Sequence, residues 1–178
     1  MRRLSVLLLL AAMLAGCGFH LRGHGPVPDG MGTVAIRDAD QGSSNITWYS
    51  GGRDGLRREL ARSLTTAGFT VSDGAPLTIQ LISDSVRRRT ASIDASASAA
   101  EYQIDYEVRF RVTGSDGAEL IPATLLRTDS SYRFDESAVL GSAEQEALLY
   151  EDMRREIARR IVDQFHRRVT AAGHAPAP

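Results

Sequence analysis

The sequence predicts an α+β sandwich: a mixed sheet of about four strands with two helices packed on one face, in the order β-α-β-β-β-α. Two observations predict it. From Tyr102 to Val112, apolar residues alternate strictly with polar ones, as in a strand with one buried and one wet face. On either side of this β-rich middle lie segments whose apolar residues recur at steps of three and four. Each is a helix with one buried stripe, and such a helix must lay that stripe on another layer.

The chain opens with Met1-Arg2-Arg3 and an almost wholly apolar run, Leu4 to Ala15. That run falls short of the roughly 20 residues a membrane-spanning helix needs. It fits a signal peptide over residues 1–16. Leu14-Ala15-Gly16-Cys17 resembles the bacterial lipobox, which makes Cys17 the expected site of lipidation. Removal of Arg2 and Arg3 would leave 19 arginines against 22 acids, a net charge of −3. Net charge then does not draw the chain to anionic lipid, and several acyl chains on Cys17 would hold it at the membrane. Residue 18 is Gly rather than Asp. By resemblance to enterobacterial lipoprotein sorting, that implies delivery to the outer membrane, facing the periplasm.

Residues 17–32 are rich in Gly and Pro and are expected to tether lipid to domain. The domain is expected over residues 33–170. Thr33 to Arg37 is a short strand; the polar stretch Asp38 to Arg53, containing Trp48 and Tyr49, reads as a loop. Asp54 offers an N-cap, Leu56, Leu60 and Leu64 form a stripe, and Gly68 stands where the helix would end. Phe69 to Val71 and Leu77 to Leu81 read as β, broken at Ala75-Pro76. After the long central strand, Gly114 to Gly117 is a turn into an antiparallel strand at about Ala118 to Phe134, and Pro122 places the start of that strand at an edge or bulge. In the last helix Ser142 and Gln145 suggest a capping box. Tyr150, Met153, Ile157, Ile161, Phe165 and Val169 make its stripe, with acids early and arginines late. Arg154 lies within that stripe and is expected to snorkel at its edge; His166 is expected on the polar side. Residues 171–178 read as a disordered tail.

Composition and motifs favour no catalysis. The chain has 21 arginines, 22 acids and no lysine, so its net charge of −1 gives no general attraction to nucleic acid. One cysteine permits no internal disulfide, and a lipidated Cys17 would be spent as a nucleophile. His20 and His24 stand four apart but among glycines and a proline, a setting for a loop rather than a metal-binding helix. No metal site or cofactor is expected. Asp38 and Asp40 read as a polar turn, and neither a phosphate-binding glycine motif nor a G-x-S-x-G is present. The local positive cluster is Arg87-Arg88-Arg89. If its strand continues, Arg87 and Arg89 share one face and Arg88 takes the other. Arginine forks suit phosphate, so a phosphorylated glycolipid is a sensible ligand, and edge protection is the alternative. The small residues at 91–100 suit either a strand lying against another protein or a hairpin tip.

Several segments resemble the LPS-assembly lipoprotein LptE family. They are Cys17-Gly18-Phe19-His20-Leu21-Arg22, Ala100-Glu101-Tyr102-Gln103, Ser130-Ser131-Tyr132-Arg133-Phe134-Asp135 and Ala143-Glu144-Gln145-Glu146. The resemblance implies a plug rather than an enzyme. It would sit one-to-one inside the outer-membrane β-barrel LptD, help it fold, and assist delivery of lipopolysaccharide to the outer leaflet. It also implies basic contacts to the glycolipid near the sheet. Here small residues fill 95–100, and Arg87, Arg88 and Arg89 are the physical substitutes, with Trp48, Tyr49 and the wet sheet face as candidate barrel contacts. The alternative is a free-standing lipoprotein that binds glycolipid or cell-wall glycan.

Overall fold

The computed structural model describes residues 27, 30–44, 52–93, 99–134 and 139–173. The chain runs β1 (Thr33–Ser44), α1 (Gly52–Thr66), β2 (Thr70–Val71), β3 (Leu77–Ile93), β4 (Ala99–Gly114), β5 (Glu119–Arg133) and α2 (Val139–Gly173). The sheet has five strands in the order β2-β1-β3-β4-β5. This is the predicted mixed sheet and helix layer, with the two-residue β2 as an added edge. β1 pairs in parallel with β2 and β3, and the later hairpins are antiparallel. A parallel pair needs a crossover, and α1 supplies it.

The alternation read from β4 survives in the structure: Ile104, Tyr106, Val108, Phe110 and Val112 are all buried. Leu77, Ile79 and Leu81 of β3 join them on the same face. A register shift between Leu81 and Ser83 then resets the alternation, so Asp84, Val86 and Arg88 follow on the inner face. α1 closes this face through Leu56, Leu60 and Leu64. Its end is fixed by Gly68, whose φ of +90° suits glycine and few other residues. The amide of Phe69 then donates to the Leu64 carbonyl and turns the chain toward β2.

Four boundaries differ from expectation. β1 continues to Ser44 where a loop was expected, because after a register shift Ser43 and Ser44 still pair with Ser83 and Asp84. Backbone pairing defines that stretch, and a polar sequence does not advertise it. Both helices begin a fraction of a turn or more early, at Gly52 and Val139, so Asp54 and Ser142 lie inside their helices instead of capping them. A carboxylate at Asp54 still complements the dipole from within the first turn. α2 runs on to Gly173, into the stretch expected as tail. Pro122 does lie on edge strand β5, beside the register shift between Phe110 and Val112.

The larger correction concerns α2. Its expected stripe is buried in full, but Arg154, Ala158, Val162 and His166 are buried too. These four recur at steps of four and make a second row. α2 packs against both α1 and the sheet, so it needs a wider buried arc than one seam provides. Arg154 therefore does not snorkel: it is 7% exposed, and a Cβ on Gly55 of α1 would lie 2.9 Å from its Nη1. His166 is likewise buried, edge-on to Phe69 with ring centroids 5.9 Å apart.

Phe165 stands at the joint of these layers, fully buried and 4.8 Å from Phe69 between ring centroids. Phe165→Ala is expected to cost about 3–5 kcal/mol while leaving the far end of the hairpin intact. Urea unfolding followed by circular dichroism would measure it, and a loss under about 1 kcal/mol would contradict the packing described.

Candidate functional site

The site read from the sequence lies on the long β3–β4 hairpin, where the strands outrun the apolar core. From Arg87 to Ile93 every β3 residue is exposed, and Ile93 is 65% exposed. Arg87 and Arg89 do share a face, and Arg88 takes the other. The three arginines are therefore split between two environments.

On the outer face, away from the helices, the Arg89 Nε lies 3.2 Å from Asp105 Oδ2, and the Arg127 Nε lies 2.8 Å from Glu107 Oε1. Lower down, Arg111 donates to Gln80 Oε1 at 2.6 Å. A depression of about 400 Å³ opens among Ser85, Arg87, Arg89, Asp105, Arg127 and Asp129. Among the described residues Arg87 has no ion pair, which leaves its fork available to an outside oxyanion. Three arginines face three carboxylates around this depression, Glu107 being the third. The surface is dense in hydrogen-bonding groups and close to neutral, so it suits an extended polar contact better than wholesale capture of anions.

On the inner face Arg88 meets α2. Its Nη1 donates to Glu146 Oε2 at 3.2 Å, and its guanidinium lies 4.7 Å from the centroid of Tyr102. Tyr132 donates to the same Glu146 oxygen at 2.6 Å, and Tyr150 donates to Oε1 at 3.1 Å. Glu146 is 8% exposed, and these three charge-assisted bonds compensate for removing its carboxylate from water. In the sequence Glu146 stands among the early acids of the last helix and closes a family-resembling segment. The signal was present in its four-residue spacing from Tyr150, but nothing in the sequence places Arg88 and Tyr132 beside it.

Burial, together with the hydrogen bond to Glu146, pushes the Tyr132 hydroxyl up to about 12. Tyr106 is pushed up as well, first by burial and then by the charge of Asp84, against the opposing influence of Arg154. Because both phenols ionise less readily folded than unfolded, the stability they contribute is complete below about pH 10 and falls as pH rises through the folded values. Cys17, His20, His24, Trp48 and Tyr49 lie outside the described residues. Among the described residues no cluster of three or more His, Cys, Asp or Glu is placed to hold a metal, and no helix is long and apolar enough to cross a membrane.

Tyr132→Phe tests the inner network. It is expected to cost about 1–3 kcal/mol near neutral pH and to flatten the fall in stability between about pH 10 and 12. Melting curves across that range would show both effects, and an unchanged alkaline slope would remove Tyr132 from this account.

Comparison with known proteins places this geometry. A family model described as "LptE: Lipopolysaccharide-assembly" matches residues 31–165. A protein of Photorhabdus laumondii named LPS-assembly lipoprotein LptE is 30% identical over 165 residues, covering 92% of this chain and 85% of that protein. One of the same name from Pectobacterium atrosepticum is 27% identical, covering 90% and 83%. Among solved structures, rare lipoprotein B of Shewanella oneidensis superposes with a TM-score of 0.63 at 23% identity, over 80% of this chain and 99% of that one. An uncharacterized lipoprotein B of Nitrosomonas europaea gives 0.61 at 22% identity, over 90% and 99%. These two structures share the fold. The family model spans all five strands, α1 and α2 as far as Phe165, and on that ground the chain belongs to the LptE lipopolysaccharide-assembly family.

Proposed function

We propose that this chain is a non-catalytic outer-membrane lipoprotein, anchored through Cys17, that sits one-to-one in the lumen of the LptD β-barrel. There it helps the barrel assemble and assists insertion of lipopolysaccharide into the outer leaflet. Membership of the LptE family is the observation that carries this reading. The physical features agree with it. β3 has 17 residues, a reach on the order of 55 Å at about 3.3 Å per residue. The outer face of β3, β4 and β5 is laced with balanced charges, which suits the polar interior of a large barrel. Arg87 is the proposed main contact to the glycolipid phosphates, with the ion-paired Arg89 beside it and Arg88 holding the hairpin to α2 through Glu146.

The test begins with outer membranes extracted in mild detergent and a pull-down through a C-terminal tag. The expected product is LptD in one-to-one ratio, retained at high salt, with loss of LptD maturation when the chain is depleted. Recovery of the chain alone, together with normal surface lipopolysaccharide on depletion, would sink the reading. Within the same preparation, Arg87→Ser combined with Arg89→Ser is expected to weaken lipopolysaccharide binding about tenfold or more. Arg88→Ser is expected to lower the melting temperature instead.

A further inference from the structure

The outer groove between α1 and α2 contains a second concentration of arginines, apart from the β3–β4 hairpin. A cavity of about 360 Å³ is lined there by Arg58 and Arg62 of α1 and by Arg154 and Arg155 of α2. Glu59 and Glu151 are the acids in its wall. Arg62 pairs with Glu59 at 2.9 Å, and Arg155 pairs with Asp152. Arg58 and Arg154 have no ion pair among the described residues. Arg154 is also more than nine-tenths buried, and its Nη2 has no hydrogen-bond partner there.

A buried guanidinium is costly unless an anion compensates it. Here the contact is shaped around it. Gly55 is buried against the guanidinium, 2.9 Å separating a Cβ at that position from Nη1. Asp84 and Tyr106 are near enough for Tyr106 to feel the charge of both Asp84 and Arg154. The first turns of α1 add the positive end of a 15-residue helix. A second depression of about 410 Å³ adjoins the cavity, sharing Glu59, Arg62 and Arg155, and runs on over Ala67 and Val162.

We propose that the α1–α2 groove is an oxyanion site for a terminal phosphate group, free or monoesterified, gripped by Arg58 and Arg154. Several forks converge on one cavity, more than a single carboxylate would satisfy, and tetrahedral phosphate offers oxygens to each. The cavity is larger than phosphate alone requires, and the adjoining depression gives the rest of the ligand a partly apolar path. The phosphate source is either free phosphate or the headgroup of a lipid. This site does not depend on the barrel reading, because it lies on the helix layer and is tested on the isolated chain.

The full chain, purified in a nonionic detergent, is titrated calorimetrically with inorganic phosphate, dihexanoyl phosphatidic acid and uncharged dihexanoylglycerol. Saturable binding of a phosphate-bearing probe is expected, weakened at least tenfold by Arg58→Gln and by Arg154→Met, and unaffected by Arg87→Ser. Arg58 is exposed, so its substitution tests the site even if Arg154→Met disturbs the helix pair. Tighter binding of phosphatidic acid than of phosphate assigns the site to a lipid headgroup; equal binding assigns it to free phosphate. Absence of saturable binding, equal binding of dihexanoylglycerol, or an Arg58→Gln variant indistinguishable from the parent would overturn the proposal.

Discussion

α2 has to satisfy two neighbours at once. Its 35 residues lie along the sheet and against α1, so it buries one row through Tyr150, Met153, Ile157, Ile161, Phe165 and Val169 and a second through Arg154, Ala158, Val162 and His166. A single stripe would leave one of the two contacts polar and wet. The double arc lets one helix close the core between sheet and α1, and it forces buried positions on residues that elsewhere face solvent. Arg154 and His166 are buried for this reason.

The character of the interior changes along the sheet as a result. Near Leu77, Ile79, Phe110 and Val112 the inner face is apolar, and burial holds it. Beyond the register shift in β3 the same face carries Asp84, Val86 and Arg88, opposite Tyr106 and Ile104. Glu146 then takes over part of the work of the core, joining β3, β5 and α2 through Arg88, Tyr132 and Tyr150. Along the β5 edge, Thr128 donates to Glu156 and Arg160 donates to the Arg127 carbonyl. The far half of the hairpin thus rests on charge-assisted hydrogen bonds, which depend on protonation in a way hydrophobic contact does not.

What was legible in the sequence follows from which signals are local. The alternation in β4 and the leucines of α1 are set by neighbours along the chain, and both elements formed as read. Gly68 was legible because a helix end with positive φ selects glycine. The extension of β1 to Ser44 was not, since its residues are polar and only pairing with β3 makes them a strand. The second row of α2 was hidden for a different reason. Arginine and histidine read as surface residues until the position of α1 is known. Of the triplet Arg87 to Arg89, alternation gave the split between faces, but the role of Arg88 depends on Glu146, 58 residues away.

The same alternation constrains what the hairpin can do. A strand with a charged residue at each of three successive positions presents charge to both faces, so neither face is free to be purely a lipid-binding surface. On the inner side the charge is absorbed by Glu146 and stiffens the hairpin where apolar packing runs out. On the outer side Asp105 and Glu107 absorb Arg89 and Arg127, and Arg87 is left over. A surface built this way can lie along a wetted protein wall with little desolvation cost, and it can still offer one fork to a passing phosphate. Strong, lasting capture of a polyanionic lipid would call for a concentrated excess of positive charge. The outer face therefore suits a reversible polar contact better than lasting capture of an anion.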